Sequence, residues 1–405
     1  MSAVLVIVEQ LRRAVPGGIG TYATGLVRGL QEMAAGGEDV PPLALYASRP
    51  PRRGDELGRF GVPVRSSALP GPVLTRAWAL GVADAPSGYG VVHGVSLAVP
   101  PARCASLVVT IHDLLWRQEP QAFPPRGRRW HDAALRRALR RADRFVVPSE
   151  QVAADLQEAG AATGRVEVIP EGADHLPPPD QAGADELLER LGVHGPYLLS
   201  VGTLEPRKNL ARLVEAHRLA LPELPEPWPL LVVGPTGWGD GDVTIGSSGA
   251  RRHPLAGLTS PGPTAPAPTA SGHRVTGPRA GIPAGPGPVV FTGRVPDAVL
   301  AGLYARAELL VYVPLAEGFG LPPVEAMAAG TPVVASPVPS VADAAEIVDP
   351  RDVASIAAGI VAVAGDPSRR GTLVAAGRRR AGTLTWRSAA RQHVDLWHQL
   401  DGRQP

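Results

Sequence analysis

Lysine and asparagine are almost absent from this chain. Lys208 is its only lysine, beside 39 arginines, and Asn209 is its only asparagine. An alanine- and arginine-rich composition of this kind suggests a GC-rich coding bias that replaces lysine wherever arginine serves. Lysine is a compact point charge on a flexible stem and arginine a planar fork, so the two differ at a tight site. The surviving lysine is therefore either a remnant on a solvated turn or a residue that grips an anion. Cysteine is also scarce: with Cys104 alone, an intramolecular disulfide and a cysteine-based zinc cluster are excluded, which fits a reducing compartment. No uninterrupted apolar run is long enough to span a bilayer. The start, Met1-Ser2-Ala3-Val4, lacks the basic lead and cleavage site of a secretory signal. A formal net charge of +2 implies no general polyanion role, so no nucleic-acid partner is expected. The expected location is cytoplasmic, with a peripheral position at the inner face of the plasma membrane left open.

A length of 405 residues fits two domains, and 44% hydrophobic with 19% charged residues describes a soluble globular protein. Val4 to Val8 is a continuous apolar run, as in a strand buried on both faces. Pro16-Gly17-Gly18-Ile19-Gly20 follows, and then Ile19, Tyr22, Ala23, Leu26 and Leu30 recur at helical spacing. Strand, glycine loop, helix is a layout in which backbone N–H groups meet an anion, although a glycine loop can equally be a plain tight turn. Val91–His93 and Leu107–Asp113 read as strands ending in polar residues. His93, His112 and Asp113 thus stand where an open α/β sheet binds ligands, or where histidines serve structure. Arg126 to Arg144 carries eight arginines around Trp130, Leu135 and Leu139. It reads as a basic amphipathic helix, either a solvated face or a face for an anionic membrane or acceptor. Ser149 is a candidate helix cap.

Pro177-Pro178-Pro179-Asp180 reads as a linker. It divides the chain into an N-terminal domain over 1–178, a C-terminal domain over 179–385, and a last helix over 386–405 that can cross back to the first domain. Strands alternate with helical patterns in both halves, so the expected class is α/β, two Rossmann-like parallel-sheet domains facing each other across a cleft. Residues 237–288 are dominated by Gly, Pro, Ser, Thr and Ala and are expected to be a disordered insertion. Asp240-Gly241-Asp242 inside it imitates an acidic metal pair but reads as a turn, and no metal is assigned.

The chemistry concentrates in the second half. Arg207 and Lys208 follow the strand Tyr197–Val201, and Glu317 and Glu325 follow about a hundred residues later with seven residues between them. If Leu321-Pro322-Pro323 opens a helix, Glu325 lies on it and Glu317 in the loop before it. The two carboxylates are then no close acid/base pair. They suit hydrogen bonds to two hydroxyl-bearing parts of one long ligand, and the amides of Gly318-Phe319-Gly320 suit an anion. Two cations, a glycine loop and two hydroxyl acceptors describe a nucleotide sugar.

With GTLEPRKNL, EGFGLPPVEAMAAGTPVVAS, GGIGTY and VTIHDL in this arrangement, the chain resembles the GT-B retaining glycosyltransferases of family 4 over nearly its whole length. The resemblance implies that Arg207 and Lys208 hold the donor diphosphate together with the Gly17-Gly18 loop and Gly318, Phe319 and Gly320. It implies that Glu317 contacts the hydroxyls of the transferred sugar and that His112 lies near sugar and acceptor. Glu325 would contact the ribose, and Leu321, Arg294 and Val295 would lie at the ribose and base. The wording is similar to a mannosyltransferase branch, which implies GDP-mannose as donor, no cofactor, no metal, and a glycan or lipid-linked acceptor. Two departures stand out: the contracted stretch Ser336–Asp343 beside the donor site, and the insertion. Competing readings are a disaccharide synthase or phosphorylase on the same fold, and a catalytically silent nucleotide-sugar-binding partner. A dinucleotide oxidoreductase is disfavoured, because the first glycine loop lacks the spaced fingerprint and its acidic ribose-binding residue.

Overall fold

The computed structural model describes residues 2–13, 15–51, 54–235, 250–252 and 287–401. The first sheet contains β1 Val4–Ile7, β2 Leu43–Ala47, β3 Val64–Ser66, β4 Val91–Gly94, β5 Ser106–Thr110, β6 Arg144–Val147 and β7 Val166–Val168, in the order β3-β2-β1-β4-β5-β6-β7. Every pairing is parallel. Its helices are α1 Gly17–Ala35, α2 Gly71–Leu80, α3 Leu115–Gln118, α4 Pro125–Arg141 and α5 Glu150–Glu158. The Val4–Ile7 strand is buried along its whole length, because helices cover both faces of a parallel sheet.

The second sheet repeats the plan. Its strands are β8 Leu198–Val201, β9 Leu230–Val233, β10 Ala250–Arg252, β11 Val289–Gly293, β12 Leu309–Tyr312, β13 Val333–Ala335 and β14 Glu346–Ile347, in the order β10-β11-β9-β8-β12-β13-β14. Around them lie α6 Gln181–Leu191, α7 Leu210–Ala220, α8 Asp297–Arg306, α9 Leu321–Ala329, α10 Val353–Ala364 and α11 Pro367–Thr383. The strand order reverses between β1 and β4 in the first sheet and between β8 and β12 in the second, where β11 is also inserted between β9 and the edge strand β10. Crevices at such points, beyond the carboxyl ends of the strands, are where open α/β sheets bind ligands.

Strand β10 lies inside the stretch 237–288 that composition marks as a disordered insertion. Its three residues pair in parallel with Val289–Phe291, while residues 237–249 and 253–286 of that stretch lie outside the described residues. The edge of β11 offers unpaired backbone groups, and pairing with them does not depend on apolar side chains. The Asp240-Gly241-Asp242 turn lies outside the described residues.

The chain crosses between domains twice. Ala173 packs in the core of the second domain, while Ile169 still belongs to the first. On the return, Leu384 belongs to the second core and Trp386 to the first. The crossings lie side by side: Ala173 N donates to Leu384 O at 2.9 Å, and Trp386 N donates to Asp174 Oδ1 at 2.8 Å. The last helix, α12 Trp386–Asp401, then packs along α1 in the first core. Gly25 and Gly29 permit this: a Cβ on Gly25 would sit 2.1 Å from the Trp386 ring, and one on Gly29 2.2 Å from its carbonyl oxygen. Among the described residues no helix is long and apolar enough to cross a membrane.

Candidate functional site

The loop after β8 is held from below. Asn209 stands at φ 60°, in the left-handed region that asparagine tolerates better than most residues. Its side-chain amide donates to Val313 O at 3.0 Å and Pro350 O at 2.6 Å. The chain's only asparagine thus anchors the single helical turn Pro206–Lys208 that presents both cations.

Those cations converge on one carboxylate. Arg207 Nη1 donates to Glu317 Oε1 at 2.8 Å, and Lys208 Nζ donates to the same oxygen. Tyr312 OH donates there at 3.0 Å and accepts from Lys208 Nζ at 2.9 Å. Burial opposes the Glu317 anion, but Lys208 and Arg207 outweigh it and hold the group below the usual carboxylate range. Burial pushes the Lys208 ammonium down, and Glu317 restores it only in part. Glu205, buried beneath, lies 2.6 Å from Arg207 Nε without hydrogen-bond alignment. Burial raises its carboxyl, and Arg207 and Lys208 offset that only in part. Arg207 and Lys208 thus stand together at the β8/β12 reversal with Glu317 ionised between them and Glu205 beside Arg207, so an anionic ligand there would draw the cations from carboxylates they already hold.

The loop after β12 is pressed against the first domain. A Cβ on Gly318 would stand 1.8 Å from His112 O, so only glycine fits. Ser149 caps α5 through Val152 N at 3.3 Å and also donates to Gly318 O at 2.8 Å. Phe319 lies in the second core and its carbonyl accepts from Ser340 N at 3.1 Å. Gly320, at φ 97°, turns the chain into α9, and Leu321-Pro322-Pro323 form the first turn as proline geometry favours. The Ser340 hydroxyl, fully buried and without a partner, lies 3.1 Å from where a Gly320 Cβ would be. It belongs to the contracted stretch, whose Ser336, Pro337 and Val338 line a cavity of about 420 Å³ with Glu317. Glu325 sits on α9; its Oε2 accepts from Tyr304 OH at 2.6 Å, and its Oε1 lies 3.0 Å from His175 Nε2.

On the other side, His112 faces an acceptor at each ring nitrogen: Glu171 Oε1 is 3.1 Å from Nδ1 and Val95 O is 3.0 Å from Nε2. Both nitrogens must donate, which is the hydrogen-bonding pattern of an imidazolium. Burial opposes that charge, but Glu171 overrides it and raises the pKa. His93 is fully buried, bonded through Nε2 to Thr110 Oγ1 at 2.8 Å and stacked on His393 at 5.3 Å, a structural place. Asp113 turns back to accept from Leu115 N at 3.1 Å.

Glu317, Arg207 and Lys208 therefore meet directly, and Gly318 brings them to His112. Gly17 and Gly18 are exposed at the start of α1 with open space around them, Gly17 at φ 61°. Arg294 is exposed just after β11. The Val295 side chain is buried in the second core, so only its backbone can meet a base. Leu321 packs partly against that core. Sequence reasoning did not single out Glu171, His175, Glu205, Tyr304, Tyr312 or Ser340. Tyr304 and Tyr312 carried only the helix and strand pattern, and Glu171 and His175 sit in a segment with no periodicity.

Residues 16–175 match Glycosyltransferase Family 4, and residues 273–366 match Glycosyl transferases group 1. The two matches lie one in each half of the chain. Among curated relatives, it is 33% identical over 210 residues to an O-antigen chain mannosyltransferase B of Escherichia coli, covering 50% of this chain and 46% of that one. It is 30% identical over 270 residues to a D-inositol 3-phosphate glycosyltransferase of Thermomonospora curvata, covering 63% of this chain and 57% of that one. The chain thus spans about half the length of such relatives. Among solved structures, Anabaena HepE in complex with UDP and glucose superposes with a TM-score of 0.67 at 16% identity, covering 98% of this chain and 100% of that one. A sucrose-phosphate synthase of Thermosynechococcus elongatus gives 0.69 at 22% identity, covering all of both chains. The architecture is that of the GT-B glycosyltransferases.

Proposed function

We propose that this chain is a retaining glycosyltransferase that moves a hexose, mannose by preference, from a nucleoside-diphosphate sugar to a hydroxyl of a glycan or lipid-linked acceptor. The observation that carries it is the convergence of Arg207 and Lys208 on Glu317 at the β8/β12 reversal, beneath a loop docked on His112. Breaking a glycosyl–phosphate bond builds negative charge on the leaving diphosphate, and cations fixed in advance in a site shielded from water stabilise it. On donor binding the two cations exchange part of their hold on Glu317 for phosphate oxygens, and Glu317 turns to the sugar hydroxyls. Glu325 on α9 takes the ribose hydroxyls. The leaving phosphate then helps deprotonate the incoming hydroxyl on the same face. His112, donating at both nitrogens, acts as a positive group beside the sugar and not as the base. Protein cations hold the diphosphate, so the mechanism calls for no metal.

Mannose rests on the mannosyltransferase names among the relatives. We further propose a cytoplasmic place at an anionic membrane face, with α4 as the contact: Arg129, Arg136 and Arg140 are exposed on it, and Trp130 is 41% exposed. The test is a screen of GDP-mannose, UDP-glucose and dTDP-rhamnose for binding and hydrolysis. GDP-mannose binding with slow hydrolysis is expected, and failure to bind any nucleotide sugar would sink the reading.

A further inference from the structure

The segment that first crosses between the domains carries two ionisable side chains on opposite errands. Glu171 turns to His112 of the first domain, and His175 turns to Glu325 of the second. The role inferred for His175 rests on Glu325 being the ribose contact of the proposed donor site. Glu325 Oε2 is taken by Tyr304 OH and Oε1 by His175 Nε2. Each oxygen keeps capacity for a second bond, but only 7% of Glu325 is exposed, so room for a ribose hydroxyl opens most readily where one of these neighbours withdraws. Tyr304 is fully buried within α8 and cannot withdraw cheaply. His175 lies on a crossing segment outside any helix or strand and retains some exposure.

We propose that His175 is a protonation-dependent plug over the ribose subsite: as an imidazolium it holds Glu325, and as a neutral ring it yields that carboxylate to the ribose hydroxyls of the donor. The surroundings poise it for this. Glu325 on α9, Asp297 at the start of α8 and Glu171 on its own segment all favour the charged ring. Tyr304 touches it only through Glu325, and Arg28 of α1 donates to the His175 carbonyl at 3.1 Å and not to the ring. On the far side the indole N–H of Trp386 faces Nδ1 at 3.5 Å, an interaction available only to the ring unprotonated at that nitrogen. Burial opposes the charge, but Glu325 prevails and raises the pKa above its ordinary value. Loss of the Nδ1 proton leaves an uncharged donor at Nε2, and uncharged hydrogen bonds are the weaker kind.

The full chain is titrated calorimetrically with GDP and UDP and with their 2′,3′-dideoxy counterparts, from about pH 6 to about pH 8.5. Phosphate ionisation is common to each pair, so the ribo-to-dideoxy affinity ratio isolates the hydroxyl contact. In the wild type that ratio is expected to climb about tenfold with pH, the scale of exchanging a charged for an uncharged hydrogen bond. In His175→Asn it is expected to be high and flat. A ratio above one that Glu325→Gln abolishes, but that does not change with pH or changes equally in His175→Asn, overturns the plug and leaves the ribose contact standing. A ratio near one throughout, indifferent to Glu325→Gln, removes the ribose contact and the plug together. The wild type supplies an independent reading by NMR titration of the His175 ring. Reciprocity requires nucleotide binding to lower its midpoint, and a midpoint that stays or rises refutes the proposal.

Discussion

Lys208→Ala removes one of the two cations that meet at Glu317 and leaves Arg207 to hold that carboxylate. Loss of one preorganised charge-stabilising donor costs about 2.7–4 kcal/mol of transition-state stabilisation, or roughly 10²–10³ in kcat. We expect that loss in a donor-turnover assay with an unchanged circular dichroism spectrum; normal turnover would refute the phosphate role. Glu171→Gln tests the His112 assignment. Glu171 is what raises the His112 pKa against burial, so the charged ring persists below that raised value and is lost as pH rises through it. In Glu171→Gln the alkaline limb of kcat/KM should therefore move to lower pH, and a limb that stays put would separate the two residues. Residues of this kind differ in how readable they were. Lys208 and Asn209 stood out by their rarity. Glu171 and Glu205 gave no such signal, because their meaning lies in which charge the fold sets beside them.

At the scale of elements, the join between α1 and α12 turns on one buried tryptophan. Trp386, 2% exposed, fills the space left by Gly25 and Gly29. Trp386→Ala should destabilise by about 3–5 kcal/mol, the cost of a large buried aromatic replaced by a void. Chemical denaturation followed by a probe in the first domain would show it. Helix α4 makes a different prediction. Its buried side is Ala134, Leu135 and Ala138, and its exposed side carries Arg129, Arg136 and Arg140. Each basic residue near an anionic surface contributes about 1 kcal/mol. Converting the three to Gln should weaken cosedimentation with phosphatidylserine vesicles by about two orders of magnitude on that basis, and added salt should erase the difference. Equal binding by wild type and variant would return α4 to an ordinary solvated face.

At the scale of the whole molecule, acid should loosen the hold of α12 on the first domain. His393 on α12 and His93 on β4 are both fully buried and stacked at 5.3 Å, with Tyr22 OH 2.7 Å from His393 Nε2. Burial pushes His393 down to about 4 and His93 well below its ordinary value. Both stay neutral in the folded chain while the unfolded chain takes up protons below about pH 6.5. The unfolded state then binds more protons, so stability rises with pH across that window and falls as pH drops from about 6.5 toward 4. The melting temperature should fall more steeply over this range in the wild type than in His393→Phe. Parallel slopes would show that the stacked histidines do not govern acid stability.

Local pattern alone determined the strand–helix alternation, because apolar runs and helical spacing report directly on burial. It also determined the loop of Arg207 and Lys208, the start of α9 and the positions of Glu317 and Glu325 along the chain. Tertiary structure decided the rest, because it depends on approaches between residues far apart in sequence. Those are Gly318 against His112, Trp386 against Gly25 and Gly29, and the crossing segment that pairs Glu171 with His112 and His175 with Glu325. It also decided that Ala250–Arg252 pairs with β11, since a strand edge offers unpaired backbone groups.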